Sequence, residues 1–160
     1  MDEESFCAAV QEHQQMLYRV AYTLLGNGDD CADALQEALL RAWKKLHTLR
    51  EPAAFQAWIT RIVVNCSKDL LRRRRPPTAE LTEDMPAPFP PPGPDVPLAQ
   101  ALAALKEELR LPITLYYMEG MSVTDIAGVM RIPRGTVKNR LMRGRHRLAV
   151  LLKEEESGWR

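Results

Sequence analysis

The sequence predicts an all-α protein of two small helical units, residues 1–75 and 98–160, joined by a proline-rich acidic linker over residues 76–97. Three observations carry that prediction. Apolar residues recur at about 3.6-residue spacing on both sides of the linker. Nine of the twelve prolines lie between Pro76 and Pro97, with four acidic residues and no Lys or Arg among them. That composition favours an extended, partly polyproline-II tether, because each Pro removes a donor and restricts the residue before it. The net charge of +1 also conceals an asymmetry: residues 1–75 hold 11 basic and 10 acidic residues, residues 98–160 hold 11 and 7. The C-terminal unit is therefore basic. Each unit is near the lower size limit for a self-sufficient core.

The N-terminal unit is expected to contain three helices. Phe6, Val10, Leu17, Val20, Ala21 and Leu24 form the stripe of the first, which Gly26-Asn27-Gly28 stops. Asp29 or Asp30 is placed to cap the second, whose core stripe is read as Leu35, Ala38, Leu39, Ala42 and Leu46. Its other faces carry Asp33, Gln36, Glu37, Arg41 and Lys44. After a turn through Arg50-Glu51-Pro52, the third helix repeats Phe55, Trp58, Ile59, Ile62, Val63, Cys66 and Leu70 and ends in the run Arg72-Arg73-Arg74-Arg75.

In the C-terminal unit, Leu98, Ala101, Leu102 and Leu105 open a helix. A second segment around Leu111 to Met118 contains Pro112, so the two are expected to meet at an angle there. Glu119-Gly120-Met121 breaks the pattern, and Ser122-Val123-Thr124-Asp125 resembles a capping box opening a short helix through Met130. Arg131-Ile132-Pro133 reads as a turn. Arg131 stands where such turns often place Gly, so a positive φ there would cost about 1 kcal/mol. The last helix starts near Pro133 or Arg134 and is expected to bury Val137, Leu141, Gly144, Leu148 and Leu151 or Leu152.

Composition excludes several function classes. With 46% hydrophobic and 27% charged residues the chain is too apolar to be disordered throughout. No run of about 18 uncharged apolar residues is present to span a bilayer, so no membrane insertion is expected. The acidic start, Met1-Asp2-Glu3-Glu4, leads into no signal-peptide pattern, and the expected compartment is the cytoplasm. Cys7, Cys31 and Cys66 are unpaired in sequence, as are His13, His47 and His146. No metal site, no cofactor and no catalytic grouping is therefore expected.

The charged faces point instead to DNA. A capped helix, a short turn and a second helix, with seven basic and no acidic residues from Arg131 to Arg147, make the pattern of a helix-turn-helix reader. Ala127 suits the small position of the first helix, and Val137 packs the second against it. Lys138, Asn139, Met142 and Arg143 lie away from the Val137 and Leu141 stripe. Arg and Lys bond guanine edges, Asn bonds adenine and Met touches a thymine methyl. Arg134 and Thr136 stand at the helix N-terminus, where phosphate is favoured. In the N-terminal unit, Arg72 and Arg73 continue a helix bearing Asn65, Lys68 and Trp58. Together these supply charge, an amide and a stacking surface for melting DNA. These residues alone leave room for a dimeric helix-turn-helix regulator and, more remotely, for an enzyme with its site between the units.

Taken in order, the segments resemble the extracytoplasmic-function sigma factors of bacterial RNA polymerase, which retain conserved regions two and four. Residues Asp33 to Trp43 are similar to the region-two helix. Phe55 to Ile62 with Asn65 is similar to the promoter-melting helix that follows it. Tyr116 to Ala127 and Ile132 to Leu141 are similar to region four. The resemblance implies that the chain binds core RNA polymerase and places it at promoter DNA without catalysing a reaction itself. Asp33, Gln36 and Glu37 would dock the clamp helices of the beta-prime subunit, and region four would meet the beta flap. The loop from Thr48 to Ala54, with the helix carrying Asn65, would capture a flipped base of the minus-ten element. Lys138, Asn139, Met142 and Arg143 would read the minus-thirty-five duplex. An anti-sigma factor is an expected partner.

Overall fold

The computed structural model describes residues 1–74 and 96–158, and among them there is no strand. The tether expected over residues 76–95 lies outside the described residues. Its expected last residues, Val96 and Pro97, instead open a helix, where Pro is well suited because the first turn needs no N–H donor.

Two helices replace the one expected at the N-terminus: α1, Glu3–Glu12, and α2, Gln14–Leu25. Asp2 caps α1 by accepting a hydrogen bond from Ser5 N at 2.8 Å. At His13 the backbone N–H and the ring Nδ1 both lie on Ala9 O, at 3.1 and 2.8 Å. A local side-chain contact thus closes α1, which the apolar periodicity running through this point could not show. The turn lets Phe6 sit beside the rings of Trp43 and Phe55, at 5.5 and 6.3 Å.

Gly26, at φ 77°, ends α2, and α3 runs over Gly28–Lys44. Its cap is Asn27, not Asp29 or Asp30: Asn27 Oδ1 accepts from Asp30 N and its Nδ2 donates to Asp30 Oδ2, both at 2.9 Å. The two aspartates occupy the first turn, where they complement the helix dipole. The buried line of α3 keeps Ala38 and Ala42 of the expected stripe but not its leucines. Cys31, Ala34, Ala38 and Ala42 are the buried residues, with Leu35 and Leu46 only flanking them and Leu39 half-exposed. Small side chains let α3 approach its neighbours closely, and the leucines splay to the sides of the contact.

Two 3-10 turns, Leu46–Thr48 and Pro52–Ala54, lead into α4, Phe55–Arg74. Its Phe55, Ile59, Val63, Cys66 and Leu70 enter the core as the stripe requires, Val64 joins them from outside it, and Trp58 and Ile62 are half-buried.

In the C-terminal unit α5 spans Val96–Ala104 and α6 spans Glu107–Ile113, continued by a π-helical turn over Thr114–Met118. The break between the two expected segments falls at Lys106, in extended conformation at ψ 145°, and not at Pro112. Pro112 is buried inside α6. Standing past the first turn, it removes one i→i−4 hydrogen bond from the ladder, and the wide turn after it closes with Glu119 N on Thr114 O at 3.2 Å.

Ser122 caps α7, Val123–Met130, as expected. Arg131 then adopts the left-handed conformation, φ 57° and ψ 46°, a non-Gly residue at positive φ. Arg131→Gly is therefore expected to raise stability by about 1 kcal/mol, read as a rise of roughly 3 °C in the thermal midpoint.

The last helix, α8, spans Arg134–Gly158 and buries Val137, Leu141 and Gly144. A Cβ on Gly144 would lie 2.7 Å from Ile113 Cγ1, which accounts for the glycine at that step of the stripe. The two units pack together, α4 against α7 and α2 against α6, and their buried side chains form one continuous apolar cluster.

Candidate nucleic-acid interface

The α7–turn–α8 element has the geometry of a helix-turn-helix. Ile126 and Val129 of α7 and Val137 and Leu141 of α8 are buried between the helices. At about 100° per residue, Val137, Leu141, Gly144 and Leu148 occupy one narrow arc of α8. Lys138, Asn139, Met142 and Arg143 occupy an adjoining arc of about 140°. All four of the latter are exposed, Met142 at 51% despite its apolar side chain. Arg143 holds a 3.3 Å ion pair with Glu108 of α6, with Arg140 at 4.0 Å from the same carboxylate. An exposed pair of this kind contributes only about 0–1 kcal/mol, so a stronger anion can displace it. Arg134 is exposed and Thr136 half-exposed at the N-terminus of α8.

The structure brings the basic end of α4 onto the acidic face of α3. Arg73 pairs with Glu37 at 3.0 Å, Arg74 with Asp30 and Asp33 at 2.6 and 3.2 Å, and Arg72 with Asp69 at 2.9 Å. Arg41 bridges Glu37 and Asp69 at 2.6 and 3.1 Å. Hydrogen bonds from Arg41 and Arg73 hold the Glu37 carboxyl below the usual carboxylate range. Two groups that the sequence separates by function, Asp33 and Glu37 on α3 and Arg73 and Arg74 on α4, thus neutralise each other. Gln36 remains exposed beside them, as do Leu40 and Trp43, at 60% and 46%.

On α4, Asn65 and Lys68 are half-buried, and Lys68 Nζ lies 4.0 Å from Glu107 of α6. Trp58 donates its indole N–H to Thr48 Oγ1 at 2.9 Å, which fastens the 48–54 loop to the helix below it. The same ring lies 5.9 Å from Phe55. The loop is therefore held on α4, on the side of α4 that carries Trp58.

Residues 9–76 match the family model for sigma-70 region 2, and residues 95–148 match that for sigma-70 region 4. The chain is 36% identical over 94% of its length to the ECF RNA polymerase sigma factor SigM of Mycobacterium tuberculosis, covering 79% of that protein. It belongs to the ECF sigma factors of RNA polymerase. It is also 30% identical over 90% of its length to the ECF RNA polymerase sigma-E factor of Escherichia coli, covering 84% of it. Among solved structures it is similar to the sigma factor RpoE in complex with the anti-sigma factor NepR from Bartonella quintana. There the TM-score is 0.75 at 26% identity, over 92% of this chain and 96% of that one. It is also similar to CnrH in complex with the cytosolic domain of CnrY, with a TM-score of 0.71 at 28% identity, over 96% and 90% of the two chains.

Two features of this sigma factor escape a residue-by-residue reading. The first is an apolar groove of about 440 Å³ lined by Leu98, Leu102, Ile113, Tyr117, Met118 and Leu148, among others, between α5, the π-turn and α8. Its residues come from four elements, α6 contributing Ile113, so no single stripe announces it; the one local signal is the run Tyr116-Tyr117-Met118, whose members are all exposed. The second is Arg110, buried to 4% exposure. Its Nε donates to Thr23 O at 2.9 Å and its Nη1 to Leu105 O at 2.7 Å. Burial pushes its pKa down, with Glu107 opposing the shift.

Of the three cysteines, Cys31 and Cys66 are buried and Cys7 is exposed. Burial raises the Cys31 thiol to about 11 and pushes Cys66 up as well, which keeps both protonated and unreactive. Among the described residues no His, Cys, Asp and Glu grouping could hold a metal ion. No helix among them is long and apolar enough to cross a membrane.

Proposed function

We propose that this sigma factor docks on core RNA polymerase through α3, reads the minus-thirty-five duplex with α8 and captures a minus-ten base between α4 and the 48–54 loop. The units that divide this labour are residues 1–75 and 96–160, with residues 76–95 as tether. Asp33, Gln36 and Glu37, flanked by the exposed Leu40 and Trp43, form the surface for the beta-prime clamp helices. The groove beside Tyr117 and Met118 takes an apolar element of the beta flap. Asn65 and Lys68, with Arg72 and Arg73 freed from their partners on α3 and α4, hold the opened strand. Lys138, Asn139, Met142 and Arg143 contact base edges, and Arg134 and Thr136 contact phosphate. The chain works in the cytoplasm and carries out no reaction itself, phosphodiester synthesis belonging to the polymerase. Since the two solved neighbours are complexes with an anti-sigma factor and with the cytosolic domain of CnrY, a protein antagonist completes the set of partners.

One observation carries this reading: α8 presents its four base-reading candidates outward on an arc separate from its buried stripe, behind a capped α7. Run-off transcription with purified core enzyme and a promoter pool tests it. Arg143→Ala is expected to cost about 1 to 3 kcal/mol on the preferred upstream element. An equal loss on random DNA would make Arg143 a phosphate contact instead. In a pull-down of purified core enzyme D33N/E37Q should lose retention, and unchanged retention would remove the docking role of α3.

A further inference from the structure

We infer that Trp58 is a positioning residue for base capture: its indole N–H and the Thr48 hydroxyl form a clip that sets the place of the 48–54 loop over α4, and minus-ten selectivity depends on that clip. The inference rests on the proposal above that α4 and this loop hold a minus-ten base.

The clip is a relay of two hydrogen bonds. Indole nitrogen can only donate, so in the 2.9 Å contact between Trp58 Nε1 and Thr48 Oγ1 the hydroxyl oxygen accepts. Its own proton is then directed at Lys45 O, 2.7 Å away. Lys45 caps the C-terminus of α3, its N–H donating to Arg41 O at 2.9 Å, and its carbonyl also takes Thr48 N at 2.8 Å. One threonine therefore ties the first turn of α4 to the last turn of α3. The donor is itself held, because the Trp58 ring is half-buried and its centroid lies 5.9 Å from that of the core residue Phe55.

What the clip leaves outside it gives the relay its consequence. Arg50, Glu51, Pro52, Ala53 and Ala54 are all exposed, whereas Leu49 before them is half-buried and Phe55 after them is buried. Pro52 stiffens this span, and Ala54 N closes a turn on Glu51 O at 3.0 Å. A short stiff span takes its place from its two ends. The downstream end is fixed by Phe55 in the core; the upstream end has the clip and the partial burial of Leu49. Trp58 and Asn65 stand seven residues apart on α4, so they share a face, about 20° apart around the helix and about 10 Å along it. The loop is thus fastened to the face that offers the Asn65 amide. Flipping a base already costs unstacking and unpairing, and a pocket wall that must be ordered at the same moment reads that base less sharply than one set in advance.

Holoenzymes rebuilt from purified core enzyme with the wild type, Thr48→Val, Thr48→Ser, Trp58→Phe or the double variant T48V/W58F test the clip. Each is given a promoter selected by the wild-type holoenzyme and rebuilt as a fork, with the unpaired nontemplate strand randomised over the minus-ten element, and the bound strands are sequenced. Thr48→Val and Trp58→Phe should each lower enrichment of the preferred base about threefold or more, the equilibrium factor of one hydrogen bond. The double variant should fall no further than either single one, and Thr48→Ser, which keeps the hydroxyl, should match the wild type. Were Trp58 a stacking surface for the strand, Phe would stack in its place and Thr48→Val would change nothing; that result, or additive losses in the double variant, overturns the proposal. Tryptic cleavage after Arg50 in the free full-length chains reads the loop without DNA. It should speed up severalfold in Thr48→Val, Trp58→Phe and the double variant but not in Thr48→Ser, and unchanged cleavage would overturn the clip. Faster cleavage in those variants, with a wild-type holoenzyme that enriches no base, would overturn the base-capture reading of α4 and leave the clip standing.

Discussion

Replacing Arg110 with Met is expected to lower the unfolding free energy by about 3 kcal/mol. The reason lies at the ends of two other helices. The last carbonyls of any α-helix have no partner within it. In α2, Tyr22 O is taken by Gly26 N, and Thr23 O is taken by Arg110 Nε. Where α5 gives way to α6, Leu102 O is taken by Leu105 N, and Leu105 O by Arg110 Nη1, with Ala103 O at 3.4 Å from the same nitrogen. A single guanidinium thus caps two C-termini with a positive charge, the sign their dipoles favour. Met matches much of the volume and removes the desolvation of the charge. It cannot donate, however, so two or three buried carbonyls are left unsatisfied, at about 1–3 kcal/mol each before relaxation. Replacing both partners of a buried pair with apolar groups can be neutral, but backbone carbonyls cannot be replaced. Lys should rescue little, because one ammonium lacks the planar fork that reaches divergent acceptors. Urea midpoints of the wild type, Arg110→Met and Arg110→Lys check the order; a Met variant within about 0.5 kcal/mol of the wild type would show that the carbonyls find water instead.

Arg110 also shows where reading the residues in order runs out. The local string Glu107-Glu108-Leu109-Arg110-Leu111 gives a helical turn with a charge on it, and a charge on a short helix is ordinarily solvated. Its burial follows from α2 lying across it, a contact 87 positions away. The same holds for Glu119, which reads as the start of a turn and is in fact the buried half of the pair with Arg19. By contrast, the α7–turn–α8 element could be read almost completely, because cap, small residue, turn and stripe are all local: Ser122, Ala127 and Val137 each stand as their residue types require, and Arg131 takes the left-handed turn position at the cost expected of a non-Gly residue. The candidate DNA-reading residues of α8 follow from that stripe by elimination. Those of α4 do not, since Lys68 and Arg73 are engaged by acidic partners on α6 and α3 that only folding brings near.

Ala38→Leu is expected to destabilise the protein by about 3 kcal/mol, more than any leucine truncation on the outer side of α3. Hydrophobicity alone places the leucines of α3 inward, since Leu35 and Leu39 are its largest apolar residues near the stripe. The observed line is Cys31, Ala34, Ala38 and Ala42, each at 0–1% exposure. Close approach explains the preference: where two helices meet along small residues, the backbone of one replaces side chains of the other as the packing partner, and no rotamer of a larger residue fits. Adding the Leu side chain at position 38 forces α3 away from its neighbours α2 and α4, the helices against which it packs. That shift would also pull Asp33 and Glu37 from Arg74 and Arg73, so the ion pairs at the end of α4 should loosen with it. Leu40→Ala is the matched control. Leu40 is 60% exposed, and its truncation should change stability by less than about 0.5 kcal/mol while weakening retention of core polymerase, because the same side chain belongs to the proposed docking surface. If the two variants exchanged these effects, with Leu40→Ala unfolding the chain and Ala38→Leu leaving it stable, the face of α3 assigned to the polymerase would be the face that belongs in the core.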